Sequence, residues 1–202
     1  MRDYIVYDCE SQKMADDVPG KWNNVFGQGL SSAVTYNSKT DLYLFWDKDH
    51  KDDLCQYLNG NLVVSFNGLH YDSKLILGDS RIIEPNGITK NDKYSWNNSD
   101  IYAEIWRNIL GMDRNHYPEL MLAIRKQRFE KHVFDLHSVS QNTISHTKSG
   151  DGALAPALFQ AGKIFELLQY NLQDVRITTQ LFEFIVKYRY IVTGKGDIVQ
   201  FR

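Results

Sequence analysis

The sequence predicts an α/β domain built on a mixed sheet. Two observations carry that prediction. Short β-rich runs at residues 4–7, 32–46 and 62–66 alternate with helical periodicities at 71–77, 101–110 and 163–188. The 202 residues are 43% hydrophobic and 24% charged, which suits one globular domain with a sizeable core and excludes disordered and fibrous classes. Cys9 and Cys55 are the chain's two cysteines, too few for a disulfide scaffold or a four-cysteine zinc site. No run is long and apolar enough to predict a membrane span, and Met1-Arg2-Asp3-Tyr4 lacks the apolar core of a secretory signal. A reduced, cytoplasmic protein without membrane attachment is the expectation.

Each element has a local reason. Tyr4-Ile5-Val6-Tyr7 is β-rich and reads as a central strand with Asp8, Cys9 and Glu10 at its end. Residues 11–30 carry Pro19, Gly20, Gly27 and Gly29 and read as a loop with a short helical turn. Ser32–Tyr36 and Leu42–Trp46 flank the turn residues Asn37-Ser38-Lys39-Thr40, which predicts a hairpin. A charged loop, Asp47–Asp53, enters a short helix ending near Leu58. Leu62–Phe66 is apolar on both faces, as an interior strand is, and Asn67-Gly68 ends it before a helix from Tyr71 to Leu77. Residues 79–131 are less regular and read as an insertion, with helices over 101–110 and 118–130. Val133-Phe134-Asp135-Leu136 reads as the next core strand, Ser149–Gly152 as a flexible loop, Lys163–Tyr188 as a long helix and 189–202 as a closing hairpin. All 202 residues are thus expected to form one domain.

Three patterns carry chemistry. Asp8-x-Glu10 ends the first strand, where residues i and i+2 share a face, so both carboxylates project together. Adjacent hard oxygen ligands suit Mg²⁺ or Mn²⁺, although a solvated strand end has the same pattern. Asn67-Gly68-Leu69-His70-Tyr71-Asp72 places Asp72 in the first turn of a helix, at the sheet edge where ligand sites collect. A helix-start acid favourable to the dipole is the alternative. Tyr170-x-x-x-Asp174 sets a phenol and a carboxylate on one face of the long helix. A carboxylate inside an apolar helix needs a partner or a metal, unless that face is exposed.

Taken in order, the three motifs resemble the DEDD exonuclease superfamily with its RNase H-like fold, over residues 4–188. Tyr170 points to the tyrosine (DEDDy) branch; the histidine branch would place a histidine at Gln169. Phe66-Asn67-Gly68-x-x-Tyr71-Asp72 looks most like the proofreading domain of family B DNA polymerases and its stand-alone relatives. The resemblance implies a mixed sheet flanked by helices, two divalent ions (Mg²⁺ or Mn²⁺) and 3′→5′ hydrolysis of single-stranded DNA to nucleoside 5′-monophosphates. It implies that Asp8 bridges both ions, that Glu10 and Asp174 complete one site, and that Asp72 holds the other partly through water. Tyr170 would orient the attacking water, since a phenol with an ordinary pKa of about 10 is a poor base at neutral pH. Asn67 would face the terminal nucleotide.

The formal charge of −2, from 25 acids and 23 bases, does not decide the partner, because four acids engaged on metal leave the rest slightly basic. Arg125, Lys126, Arg128 and Lys131 form a basic stretch on the predicted 118–130 helix, read either as an exposed face or as backbone contacts to a nucleic-acid strand. Arg125 and Arg128 are therefore substrate-binding candidates, with Trp96 and Trp106 as stacking candidates. Phe66 and Tyr71 read as core, and Asp135 either supports a metal ligand or caps local structure. The charged run Asp47–Asp53 lacks the glycine and distal glutamate of a calcium loop. Nothing in the residues reads a 2′-hydroxyl, so RNA stays open as substrate. A silent nucleic-acid- or protein-binding module is the rival of another class, and a replication or repair partner is compatible with either.

Overall fold

Strict alternation along the first strand decides the layering. The computed structural model describes residues 2–78, 80–84, 87–112, 133–147 and 153–201. In β1 (Ile5–Ser11), Ile5, Tyr7 and Cys9 enter one apolar cluster, while Tyr4 and Val6 enter another on the opposite side of the sheet. Successive residues must therefore find two different covers.

The sheet has seven strands in the order β3-β2-β1-β4-β7-β6-β5. β2 (Leu30–Asn37) and β3 (Leu42–Asp47) form the expected hairpin beside β1. β4 (Leu62–Ser65) runs parallel to β1, and β7 (Ser95–Asp100) parallel to β4. The short β6 (Ile88–Lys90) and β5 (Ile82–Ile83) continue antiparallel to the edge. A separate two-stranded ribbon, β8 (Tyr190–Val192) with β9 (Ile198–Gln200), follows the long helix.

Helices cover both faces. One face is packed by α2 (Lys51–Leu58) and α3 (Asp72–Leu77), through Leu54, Leu58, Leu75 and Ile76; α1 (Val25–Gln28) adds Val25. The other is packed by α4 (Ile101–Leu110), α5 (Leu136–Ile144) and the 25-residue α7 (Ile164–Tyr188), through Ile105, Val139, Val175, Leu181 and Ile185. A short helix, α6 (Leu154–Gln160), lies against the start of α7 through Ala155, Leu158 and Leu167. Among the described residues no helix is long and apolar enough to cross a membrane.

Two sequence expectations are corrected. Val133–Leu136 is not a strand: α5 begins at Leu136, and the Asp135 side chain accepts from the Ser138 N–H at 2.8 Å. The N-cap satisfies an orphan helix donor, and that local gain outweighs the β propensity of a four-residue run. The irregular segment expected from residue 79 onwards also contributes β5, β6 and β7, and β7 sits inside the sheet. The predicted 118–130 helix, with Arg125 and Arg128, and the Gly-rich loop at 149–152 fall outside the described residues.

β7 ends in a residue that ties the fold to the site. Asp100 is fully buried and N-caps α4 through the Ala103 N–H. It also accepts from the Asn67 N–H at 2.9 Å and the Leu69 N–H at 2.8 Å, so one carboxylate holds the loop after β4. Burial raises its pKa to about 6, outweighing the N–H groups that lower it. The folded state then holds the proton more tightly than the unfolded chain. Asp100's contribution to stability is fullest below its ordinary value of 3.8 and falls as pH rises through about 6. In Asp100→Asn the amide NH₂ opposes the buried Leu69 N–H. Urea unfolding at pH 7 should show a loss of about 1–3 kcal/mol, and the pH-dependent part of the wild-type stability between those limits should disappear.

Candidate functional site

Past Val6 the same alternation that buries apolar side chains delivers two acids. Asp8 and Glu10 follow Tyr4 and Val6 on the face covered by α7. α7 turns a buried stripe towards them that includes Tyr170, Asn171, Asp174 and Val175. Carboxylate oxygens of Asp8, Glu10 and Asp174 lie within 4.8 Å of one another. Glu10 and Asp174 are buried, Asp174 with 2% of its surface exposed, and Asp8 is half-buried. Asn171 donates its Nδ2–H to Asp8 Oδ2 at 2.8 Å and so fixes that carboxylate from the helix side.

Asp72 arrives from the opposite direction. The β1–β4 ladder pairs Ile5 with Val63 and Val6 with Val64, and further along β1 the Cys9 N–H donates to Asp72 Oδ1 at 2.7 Å. The turn that makes this possible explains its sequence. Asn67 has φ +66°, a left-handed conformation that asparagine tolerates better than most residues. A Cβ on Gly68 would fall 2.4 Å from Ser65 Oγ, so only glycine fits there. Tyr71 N–H and Ser73 N–H then donate to the Asn67 and Gly68 carbonyls at 3.0 and 2.8 Å, which starts α3 at Asp72.

These groups share one cleft of about 450 Å³, whose walls include Asp8, Glu10, Asp72, Tyr170, Asp174 and Asn67. Asn67 and the five residues that the sequence resemblance nominates for catalysis therefore line one cleft. The tight trio comprises Asp8, Glu10 and Asp174; Asp72 lies beside it on its own backbone anchor. Tyr170 packs with Ala155, Leu158 and Leu167, so α6 braces it, and Pro156 of α6 lines the cleft. Phe66 and Tyr71 are half-buried, packing against the core and lining the cleft at once. The Cys9 side chain packs into the core on the opposite face, and burial raises its thiol pKa well above the ordinary value.

Other candidates separate from the site. Trp96 and Trp106 are 1% and 2% exposed, buried in the two cores, and cannot stack on a substrate. Asp135 serves as a helix cap. Asp47 accepts from the Asp49 and His50 N–H groups, so the charged run is a helix entry. Arg125 and Arg128 lie outside the described residues. Sequence reasoning missed Asn171, Trp22, Gln28 and α6, all of which border the acids or the cleft. For Asn171 a signal existed: a polar residue inside the apolar stripe of the long helix.

Three carboxylates this close repel, and removing them from water adds a further penalty. A hard divalent cation offsets both, and an all-oxygen donor set is what Mg²⁺ or Mn²⁺ requires. Among the described residues this is the one group of three or more acids, cysteines or histidines so placed. The residues therefore fit a divalent ion. In Mn²⁺ at one hundred times its dissociation constant, unfolding free energy should rise by about 2.7 kcal/mol. Asp174→Asn should abolish most of that rise. In chelator the same variant should melt above wild type, because it relieves like-charge repulsion without changing side-chain shape. An apo variant melting below wild type would contradict the repulsive reading.

No family model matches the chain, and no curated protein matches it. Among solved structures the chain is similar to the family B DNA polymerase from the hyperthermophilic archaeon Pyrobaculum calidifontis, with a TM-score of 0.60 and 14% identity. The match covers 91% of this chain and 24% of the polymerase chain. At that identity the likeness concerns the fold. The mixed seven-stranded sheet with helices on both faces is RNase H-like.

Proposed function

We propose that this protein is a metal-dependent 3′→5′ exonuclease of the DEDDy type, hydrolysing single-stranded DNA to nucleoside 5′-monophosphates. The observation that carries the proposal is the convergence of Asp8, Glu10 and Asp174 within 4.8 Å in a cleft that Asp72 and Tyr170 also line. The order of the motifs along the chain and the similarity of its fold to a DNA polymerase support it.

Phosphodiester hydrolysis needs a positioned water, neutralised charge at phosphorus and help for the leaving oxygen. Two divalent ions would supply these when bound. Asp8, Glu10 and Asp174 would hold one ion, and Asp8 with Asp72 the other. Asn171 keeps Asp8 in place through its 2.8 Å hydrogen bond, and the Cys9 N–H does the same for Asp72 at 2.7 Å. Both acids would thus meet a metal from fixed positions, which would reduce reorganisation on binding. Tyr170, braced by α6 one turn before Asp174, would orient the attacking water, and Asn67 would face the terminal nucleotide. Retention of all four carboxylates and the tyrosine favours an active enzyme over a silent binding module.

The test is degradation of a 5′-labelled single-stranded DNA and a matched RNA with Mn²⁺, Mg²⁺ or chelator. The expected result is a metal-dependent ladder shortening from the 3′ end, with at least a hundredfold loss of rate in Asp174→Asn. Cleavage of the RNA alone would move the substrate class to RNA. No cleavage of either strand by a protein that binds Mn²⁺ would overturn the enzyme reading.

A further inference from the structure

The four tryptophans differ in surroundings: Trp46 is half-buried, donates to Thr35 Oγ1 at 3.1 Å and packs on Tyr57. Trp96 and Trp106 are buried, whereas Trp22 is 64% exposed at the mouth of the acidic cleft. Its segment is firmly tied. The Gln12 N–H donates to Gly29 O at 2.8 Å and Gln12 Nε2 to Leu30 O at 2.7 Å. Asn24 accepts from the Gly27 N–H and donates to Pro19 O, both at 2.9 Å, and Lys74 Nζ donates to Asn23 O at 2.7 Å. A large apolar ring on a fastened backbone is presented to solvent at a constant place.

That place adjoins the acids. The Trp22 ring centroid is 6.4 Å from that of Tyr71, tilted by 55°, and Tyr71 immediately precedes Asp72. At this separation the two rings meet each other and leave no slot between them, so a third ring would lie on Trp22's open face. Gln28, 1% exposed, also lines the cleft. Its Oε1 accepts from the Tyr71 hydroxyl at 3.0 Å, while its buried Nε2 has no hydrogen-bond partner. Gln28 thus holds the Tyr71 ring against which Trp22 packs. Lys13 lines the same mouth and offers a cation to a phosphate.

We propose that Trp22 is a base-stacking subsite for an unpaired nucleobase of a single strand entering the cleft. The proposal rests on the nuclease reading and narrows its substrate to strands with free base faces. Stacking is tolerant of sequence because every base has a π-face. A duplex keeps its bases stacked on one another and gains nothing from the indole.

Fluorescence anisotropy with a labelled oligothymidylate, in Ca²⁺, tests it. Trp22→Ala should bind roughly 5- to 150-fold more weakly, the range expected for one base–aromatic stack, and Trp22→Phe should retain most of the affinity. Binding of a dumbbell duplex without free ends should not change. Trp22 is exposed, so its replacement leaves the core intact, and the Mn²⁺-induced rise in melting temperature should match wild type in both variants. Wild-type affinity in Trp22→Ala would overturn the subsite. Weakened binding without cleavage in any metal would support the subsite while sinking the nuclease reading. No binding by wild type would sink both.

Discussion

Carboxylate oxygens held within 4.8 Å of one another repel, and the surroundings of Asp8, Glu10 and Asp174 are arranged to withstand that repulsion. Two of the acids sit on a strand paired with β2 along its length and with β4 at Ile5 and Val6, and the third on the 25-residue α7. Neither element can move its acid away without breaking a ladder or uncovering Val175 and Leu181 from the core. The Asn171 amide supplies one opposing dipole to Asp8, and Asp72 is held by a backbone N–H of the strand that carries Asp8 and Glu10. The scaffold therefore preserves a destabilising cluster, as expected where charge density serves function.

The sheet divides labour between its faces. On the α2/α3 side Ile5, Tyr7, Cys9 and Trp96 make an apolar layer. On the α7 side the layer is apolar behind Val6 and acidic beyond it, because the same alternation continues past the end of the covering core. The β4–α3 turn is the joint between them. Asp100 holds it from below through the Asn67 and Leu69 N–H groups, and Gly68 allows it to pass Ser65. Placement of Asp72 thus depends on a strand that contributes no acid to the cleft.

Much of the site was legible because its signals are local. The two-residue period of a strand aligns Asp8 with Glu10, the four-residue spacing of a helix aligns Tyr170 with Asp174, and Asn67-Gly68 marks the turn before Asp72. The hairpin and the long helix were legible for the same reason. β7 was not: Ser95-Trp96-Asn97-Asn98-Ser99-Asp100 has no β-branched residue, and pairing with β4 and β6 makes it a strand. The tryptophans show the same limit. Composition cannot distinguish Trp96 and Trp106, which fill cores, from Trp22, which does not, since packing of distant segments decides exposure. Asp135 shows the reverse case, where a cap three residues before Ser138 outweighed an apolar run.

Asp8, Glu10 and Asp174, with Asp72 beside them, are placed to hold a divalent metal. Anomalous diffraction from crystals soaked in Mn²⁺ tests this most directly. A manganese peak coordinated by Asp8, Glu10 and Asp174 at ordinary metal–oxygen distances is expected, with any second peak between Asp8 and Asp72. Manganese absent from this cleft, or bound only at surface acids elsewhere, would contradict it.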